Sequence, residues 1–441
     1  MKFKITGLFV LLLWAVPSTA QEIKKVKLEE AIELSLQNSK KLKLSQAKID
    51  AATAALQEAL QKKLPNASVT GAYLRLSSAN IDIKSNSNNS GGNGSAPPKV
   101  SQALYGILNI SLPLYAGGKI RYGIESSRLL EKAVMLDAEN DKDMLIQTTI
   151  ESFANLFKAY SAVRLVKENL SQSQQRVKEL TDLEKNGLLA RNDLMKASLQ
   201  SSQIELGLLD AENNLQLVNL NMDLLLGLPP ATVMIPDTTG IEKKEDERVL
   251  EDYLQSAFAN RKDMQALGYR QQASATGVKV VRGEKYPSLQ LTGGYIAADI
   301  PKVITVTNAV NIGVGVSYNI SSLWKTKAKV EQAAAAEKQL SLAVDMMHDD
   351  VQLEVSRNYL TLLSDRKKIE VNAKAVEQAT ENYRIVKNKF DNNLATLSEL
   401  LDADVAQLQA NLAYTLARAD AFVAYHQLLR SAGLLAADLK K

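Results

Sequence analysis

The sequence predicts an α+β membrane protein built mostly of long α-helices, with four amphipathic β-strands per chain and an internal two-fold repeat. Three observations carry that expectation. Only 5% of the 441 residues are aromatic and only 10 are Pro, with Ala, Leu, Gln and charged helix formers filling the balance, which favours long helices. The chain aligns with itself over most of its length. In each copy, short segments alternate apolar with small or polar residues at a period of two, as strands with one greasy face do.

The first twenty residues have the form of a secretory leader. Lys2 and Lys4 precede an apolar run from Ile5 to Val16, and Pro17, Ser18, Thr19 and Ala20 supply a small-residue cleavage site before Gln21. Without the leader lysines the chain holds 51 basic and 49 acidic residues, a near-neutral balance with no nucleic-acid footprint. No later stretch is apolar enough for a spanning helix, so the mature chain is either soluble or crosses a membrane as strands. No Cys and only 2 His exclude disulfides, thiolate zinc sites, cysteine nucleophiles and a His-rich metal site.

Residues Leu28 to Leu74 align without gaps onto Leu250 to Ile296 at an offset of 222, with identities at Leu28/Leu250, Asn38/Asn260, Pro65/Pro287, Gly71/Gly293 and Tyr73/Tyr295. From Ser111/Ser317 onward the offset is 206, and it holds through Leu194/Leu400 to Gly227/Gly433. The difference falls on Ser85 to Pro98, a Ser/Asn/Gly stretch expected to form an exposed loop tip. Ala116-Gly117-Gly118-Lys119 is no P-loop, because Pro113 occupies the position of the upstream Gly. The expected organisation is a signal peptide over 1–20, a first repeat over 21–228, a linker over 229–249 lying outside the helices, and a second repeat over 250–441.

Each copy reads as helix, strand, loop, strand, long helix, break, long helix. Pro65 and Pro287 stop the incoming helices. Strands then follow near Ala67 to Leu76 and Ser288 to Ile296. Their partners alternate over Leu104 to Tyr115, and over Val310, Ile312, Val314, Val316, Tyr318 and Ile320. Ile146, Ile150, Phe153, Phe157 and Tyr160 step by four and three, as do Leu401, Val405, Leu408, Leu412, Thr415, Ala419, Phe422, His426 and Leu429; these are heptad seams for other helices. His426, on such a seam, reads as a hydrogen-bonded packing residue. Four strands cannot close a barrel, and an open sheet edge is forbidden in lipid, so several chains would have to share one barrel: two chains give eight strands, three give twelve. Carboxylate pairs such as Asp349/Asp350 and Glu242/Glu245 lie in polar contexts with no pocket signature, so no catalytic residues are expected.

Taken in order, the paired helices opening at Leu28 and Leu250, the Pro-then-strand junctions, Asn186-Gly187-Leu188, and Phe390-Asp391-Asn392-Asn393 followed by Glu399-Leu400-Leu401-Asp402-Ala403 resemble the TolC-like outer-membrane efflux proteins. The resemblance covers essentially the whole mature chain. It implies a homotrimer, with a 12-stranded transmembrane β-barrel in the bacterial outer membrane continuing into a long periplasmic α-barrel. Such a tube is the passive exit duct of a tripartite exporter of drugs or other solutes. Its implied partners are outer-membrane lipid, a periplasmic adaptor (membrane fusion protein) and, through it, an inner-membrane pump, with no cofactor. The resemblance also implies that Gly187, Leu188, Asn393 and Leu394 form the periplasmic tip where the adaptor docks, Asn393 standing where the family often has Gly. It implies further that Glu399 and Asp402 form an acidic ring at the pore entrance. The repeat-equivalent positions, Asp193 and Lys196, do not duplicate the acidic pair. The competing expectation is a secreted periplasmic coiled-coil adaptor or structural protein, which would normally show a β-rich flank around one helical hairpin.

Overall fold

The computed structural model describes residues 23–79, 100–230, 232–237, 248–301 and 304–438. The expected signal peptide, the Ser85 to Pro98 loop, and linker residues 231 and 238–247 lie outside them. Strand β1 (Ile23–Val26) leads into helices α1 (Leu28–Asn38) and α2 (Lys40–Gln61), strands β2 (Asn66–Ala79) and β3 (Val100–Ala116), and helices α3 (Lys119–Lys185) and α4 (Arg191–Leu226). After β4 (Val233–Pro236) come α5 (Leu250–Asn260), α6 (Lys262–Arg282), β5 (Ser288–Ile300), β6 (Ile304–Ser317), α7 (Ser322–Asp391), α8 (Leu397–Ser431) and the short α9 (Leu435–Asp438). Among the described residues, no helix is long and apolar enough to cross a membrane.

The chain divides into two compact units. One draws on Met1–Leu42, Asp141–Asn260 and Gln352–Lys441, and the other on Lys43–Asn140 and Arg261–Val351, so α3 and α7 contribute to both. The first unit is helical. In α1, Leu28, Ala31, Ile32 and Ser35 fall at i, i+3, i+4 and i+7, and all four are buried. Ser35 sits there at no polar cost: its hydroxyl donates to Ile32 O (2.8 Å) and accepts from Thr149 Oγ1 (2.9 Å) across to α3. The α3 seam packs as its spacing requires, with Ile146, Ile150, Phe153 and Phe157 all buried. At ~1.5–3 kcal/mol per fully buried large side chain, this seam is a principal stabiliser of the unit. On α8, Ala419, Phe422 and Leu429 are buried likewise. His426 Nδ1 lies 2.8 Å from Phe422 O, and its ring packs on Phe422 and Tyr425. It is the packing residue that its seam position indicates.

The linker region holds a strand the sequence pattern did not suggest. Val233–Pro236 pairs in parallel with Ile23–Val26. Asn219 fastens it from α4, its Nδ2 donating to Thr232 O (2.5 Å) and its Oδ1 accepting from Met234 N–H (2.9 Å). Four residues are too few for period-two alternation to register.

The second unit carries one antiparallel sheet in the order β2-β3-β5-β6. Residues directly opposite in register share a face. One row runs Val69, Leu108, Tyr295, Val310 across all four strands, and the next runs Ala67, Ile110, Gly293, Ile312. Alternating with them on the other face are Ser68, Asn109, Gly294, Asn311 and Asn66, Ser111, Thr292, Gly313. In these rows the sheet is apolar on one face and small or polar on the other, the next row placing Ile107 and Ile296 on the second face; Val69, Val310, Ile312, Val314 and Val316 are exposed. The expected strand reaching Ile320 stops earlier, at Ser317. Asn319 Oδ1 accepts from Ser321 N–H (3.2 Å) and Ser321 Oγ (2.7 Å), and this turn diverts the chain into α7 before Tyr318 and Ile320 can extend the ladder. Where β3 leaves the sheet and α6 leads into β5, Gly117 and Gly283 approach so closely that a Cβ on Gly117 would stand 2.3 Å from Gly283 O.

Candidate functional site at the two helix turns

The two hairpin turns of the first unit close by the same device. Beyond α3, Gly187 takes φ +71°, so that Leu188 N–H donates to Leu183 O (2.9 Å) and Gly187 N–H to Glu184 O (2.9 Å). Beyond α7, Asn393 takes φ +61°, with Leu394 N–H donating to Lys389 O (2.7 Å) and Asn393 N–H to Phe390 O (2.9 Å). Both are Schellman-type closures, which need a left-handed residue. Gly adopts that conformation without steric cost, and Asn is the L-residue that tolerates it best. The turns leave Leu188 and Leu394 projecting at matching positions, 74% and 76% exposed. Gly187, Leu188, Asn393 and Leu394 thus share one local geometry in two turns. Among the described residues a Cβ on Gly187 would meet nothing within 4 Å, so its requirement is conformational.

Behind the turns, Leu180, Ala197, Leu397 and Leu400 form a buried cluster joined by Val177, Leu189, Leu194, Tyr383, Val386, Phe390 and Leu401. All four long helices contribute to it. The turns are therefore mounted on packed ends rather than on fraying ones.

Glu399 occupies the first turn of α8, where its carboxylate has a local task. Its Oε2 accepts from Thr396 N–H (2.7 Å) and Thr396 Oγ1 (3.0 Å), while Glu399 N–H donates to Thr396 Oγ1 (3.2 Å), a complete capping box. The bond from the Thr396 backbone, followed by that from its hydroxyl, holds the Glu399 carboxyl below its ordinary value. This cap was missed from the sequence, although Thr396-x-x-Glu399 is its signature. Asp402, one turn further along the same helix, is exposed. At the repeat-equivalent place, Ala190 gives α4 no side-chain cap, and Asp193 pairs with Lys196 at 3.3 Å on the surface.

Two residues beyond Asp402, an acid turns inward. Asp404 is buried, with its Oδ1 accepting from Asn169 Nδ2 (3.2 Å) and its Oδ2 from Arg176 Nη1 (2.9 Å). Arg176 Nη2 also donates to the Tyr383 hydroxyl (2.9 Å), and the guanidinium lies 6.0 Å from that ring's centre. Burial opposes the guanidinium charge, but the Asp404 bond and charge outweigh it, so the Arg176 pKa is raised. Side chains of α3, α7 and α8 are thereby tied into one clamp, with 11% of Arg176 and 3% of Asp404 exposed. Sequence reasoning missed it. The available signal was a carboxylate next to the α8 seam residue Val405, where an unpaired charge would be costly.

Known proteins share this architecture. Residues 253–434 match the family model described as Outer membrane efflux protein. The outer membrane efflux protein BepC of Brucella suis is 21% identical over 346 residues, covering 77% of this chain and 75% of BepC. Among solved structures, the Campylobacter jejuni CmeC outer membrane channel superposes with a TM-score of 0.77 at 18% identity, covering 92% of this chain and 86% of CmeC. The Vibrio cholerae outer membrane protein VceC gives a TM-score of 0.75 at 19% identity, covering 92% and 96%. The fold likeness spans 92% of the chain, while the match to the family model described as Outer membrane efflux protein lies in the second half.

Proposed function

We propose that this protein is an outer-membrane exit channel through which a tripartite exporter passes drugs or other solutes from the periplasm or its pump to the exterior. The observation that carries this reading is the sheet. Among the described residues its outer strands β2 and β6 each pair on one side only, and its central rows present one apolar and one polar face. In hydrocarbon each unpaired edge group costs several kcal/mol, so the edges must be closed by further copies. Three copies give a twelve-stranded barrel with Val310, Ile312, Val314 and Val316 towards lipid and Ser111, Thr292 and Asn311 towards the lumen. The long helices continue it as a periplasmic duct.

The same reading takes the chain as an internal duplication over 21–228 and 250–441, joined by the 229–249 linker. The twice-repeated element order and the matched turn closures support it. Gly187, Leu188, Asn393 and Leu394 would then form the tip that meets a periplasmic adaptor, itself coupled to an inner-membrane pump. The two leucines offer the apolar contacts, and the left-handed residues set their angle. Glu399 and Asp402, three residues apart on α8, would stand as acidic rings around a three-fold axis. A periplasmic adaptor built on one helical hairpin does not account for a four-stranded two-faced sheet. The test is conductance: purified protein in a planar bilayer should open stable, water-filled channels, and a preparation that never inserts would reject the channel.

A further inference from the structure

The groove where the sheet hands over to the helices has a chemistry that the channel reading leaves unused. It holds about 710 Å³ and is lined by Lys63, Leu114, Tyr115, Arg121, Tyr122 and Tyr286, among others. That volume lies within the ~300–1,000 Å³ of ordinary ligand sites. Lys63 and Arg121 are both exposed, and neither has an acidic partner among the described residues. Tyr115 pairs in register with Leu289, which pairs with Val316, so the groove opens from the end of the apolar face. Leu114, Tyr115 and Tyr286 are exposed along it.

The groove also lies in a cationic setting. The four strand–helix junctions, residues 58–65, 117–126, 279–287 and 318–331, carry ten basic side chains against four acidic ones. The chain as a whole is nearly balanced, at 53 against 49. Exposed Tyr318 and Trp324 add amphipathic rings at the fourth junction. Aromatic rings beside free cations, at the border of an apolar face, suit a phospholipid: acyl chains against Leu114 and the sheet, glycerol at the tyrosines, phosphate at the two cations.

We propose that this groove is a binding site for the headgroup of an anionic phospholipid from the leaflet facing the helices, fixing the depth at which the sheet sits. The assignment rests on the channel reading for its membrane and on Lys63 and Arg121 for its selectivity. Delipidated protein is titrated with phosphatidylglycerol, with phosphatidylcholine and with inorganic phosphate, and retained ligand is counted by native mass spectrometry. The protein should retain phosphatidylglycerol in preference to phosphatidylcholine. Lys63→Gln or Arg121→Gln should each weaken that retention about five-fold and the pair on the order of thirty-fold, from the usual contribution of a basic side chain at an anionic surface. Lys43→Gln with Lys48→Gln, the same charge change on exposed α2 positions, should leave it unchanged. Equal retention by the Lys63/Arg121 double variant overturns the site, and inorganic phosphate competing at lipid concentrations overturns the lipid as its source. Bilayer conductance of the same preparations separates the two readings. A double variant that conducts yet loses the lipid supports the groove, whereas wild-type protein that retains the lipid without conducting keeps the groove and removes the channel.

Discussion

Replacing Arg176 by Met deletes the cation of the clamp while keeping most of the side chain's apolar volume. Asp404, with 3% of its side chain exposed, then keeps only the 3.2 Å bond from Asn169, and Tyr383 loses its donor. Removing one partner of a buried ion pair costs about 3–5 kcal/mol, because the remaining charge stays out of water. The effect should be local. Amide hydrogen exchange along residues 169–180 and 400–408 should speed up by about two to three and a half decades, at ~1.4 kcal/mol per decade, while the sheet strands keep their protection. The double change Arg176→Met with Asp404→Leu should recover most of the loss, since an apolar replacement of the whole pair is close to neutral or better. An Arg176→Met protein exchanging less than about ten-fold faster, or a double variant no better than the single one, would refute the clamp.

Other consequences follow from the same geometry. Gly187→Ala forces a Cβ into φ +71° and should destabilise the first turn by ~1–2 kcal/mol, whereas Asn393→Gly should slightly stabilise the second; exchange at residues 183–190 and 389–396 reads both. Leu188→Ser with Leu394→Ser should leave single-channel conductance unchanged and weaken co-purification with a cognate adaptor; unchanged co-purification would remove the leucines from the docking surface. Glu399→Gln with Asp402→Asn should reduce cation preference, and Thr396→Ala, which breaks the capping box at about 1 kcal/mol, separates the roles by leaving selectivity intact. Because the Glu399 pKa is depressed in the folded chain, the box contributes above the unfolded carboxyl pKa and is lost as pH falls through the lowered value. Asp223 behaves oppositely: burial raises its pKa, and its Oδ1 has no hydrogen-bond partner among the described residues. Asp223→Asn should therefore raise the melting temperature at neutral pH, with the gain vanishing in acid, where the wild-type carboxyl is protonated in both states.

Periodicity made the large features legible and hid the small ones. A heptad stripe such as Ile146 to Phe157 and an alternation such as Val310 to Val316 are statements about one face of one element, and a face survives in the sequence. Pro65 and Pro287 mark the change from helix to strand because a ring without an N–H is costly inside a helix, although α2 already ends at Gln61 and α6 at Arg282. What escaped depends on pairing between distant elements. Nothing near Ile23 announces Val233, and nothing near Arg176 announces Asp404, 228 residues away. Glu399 shows a different limit. One carboxylate suits a helix cap and a pore ring alike, and the Thr396-x-x-Glu399 spacing, which is the cap's signature, lies under the acidic i, i+3 spacing of Glu399 and Asp402. Lys63 and Arg121 were visible as charges, but their common groove required the strand register to bring them together.

The proposed channel requires that the two free edges of the sheet be closed by further copies of the chain. Its most direct test is the native mass of the protein extracted by detergent from the outer-membrane fraction, after the detergent mass is subtracted. Three chains per particle is the result the shared twelve-stranded barrel predicts. A water-soluble monomer absent from that fraction would contradict it and return the helical adaptor to consideration.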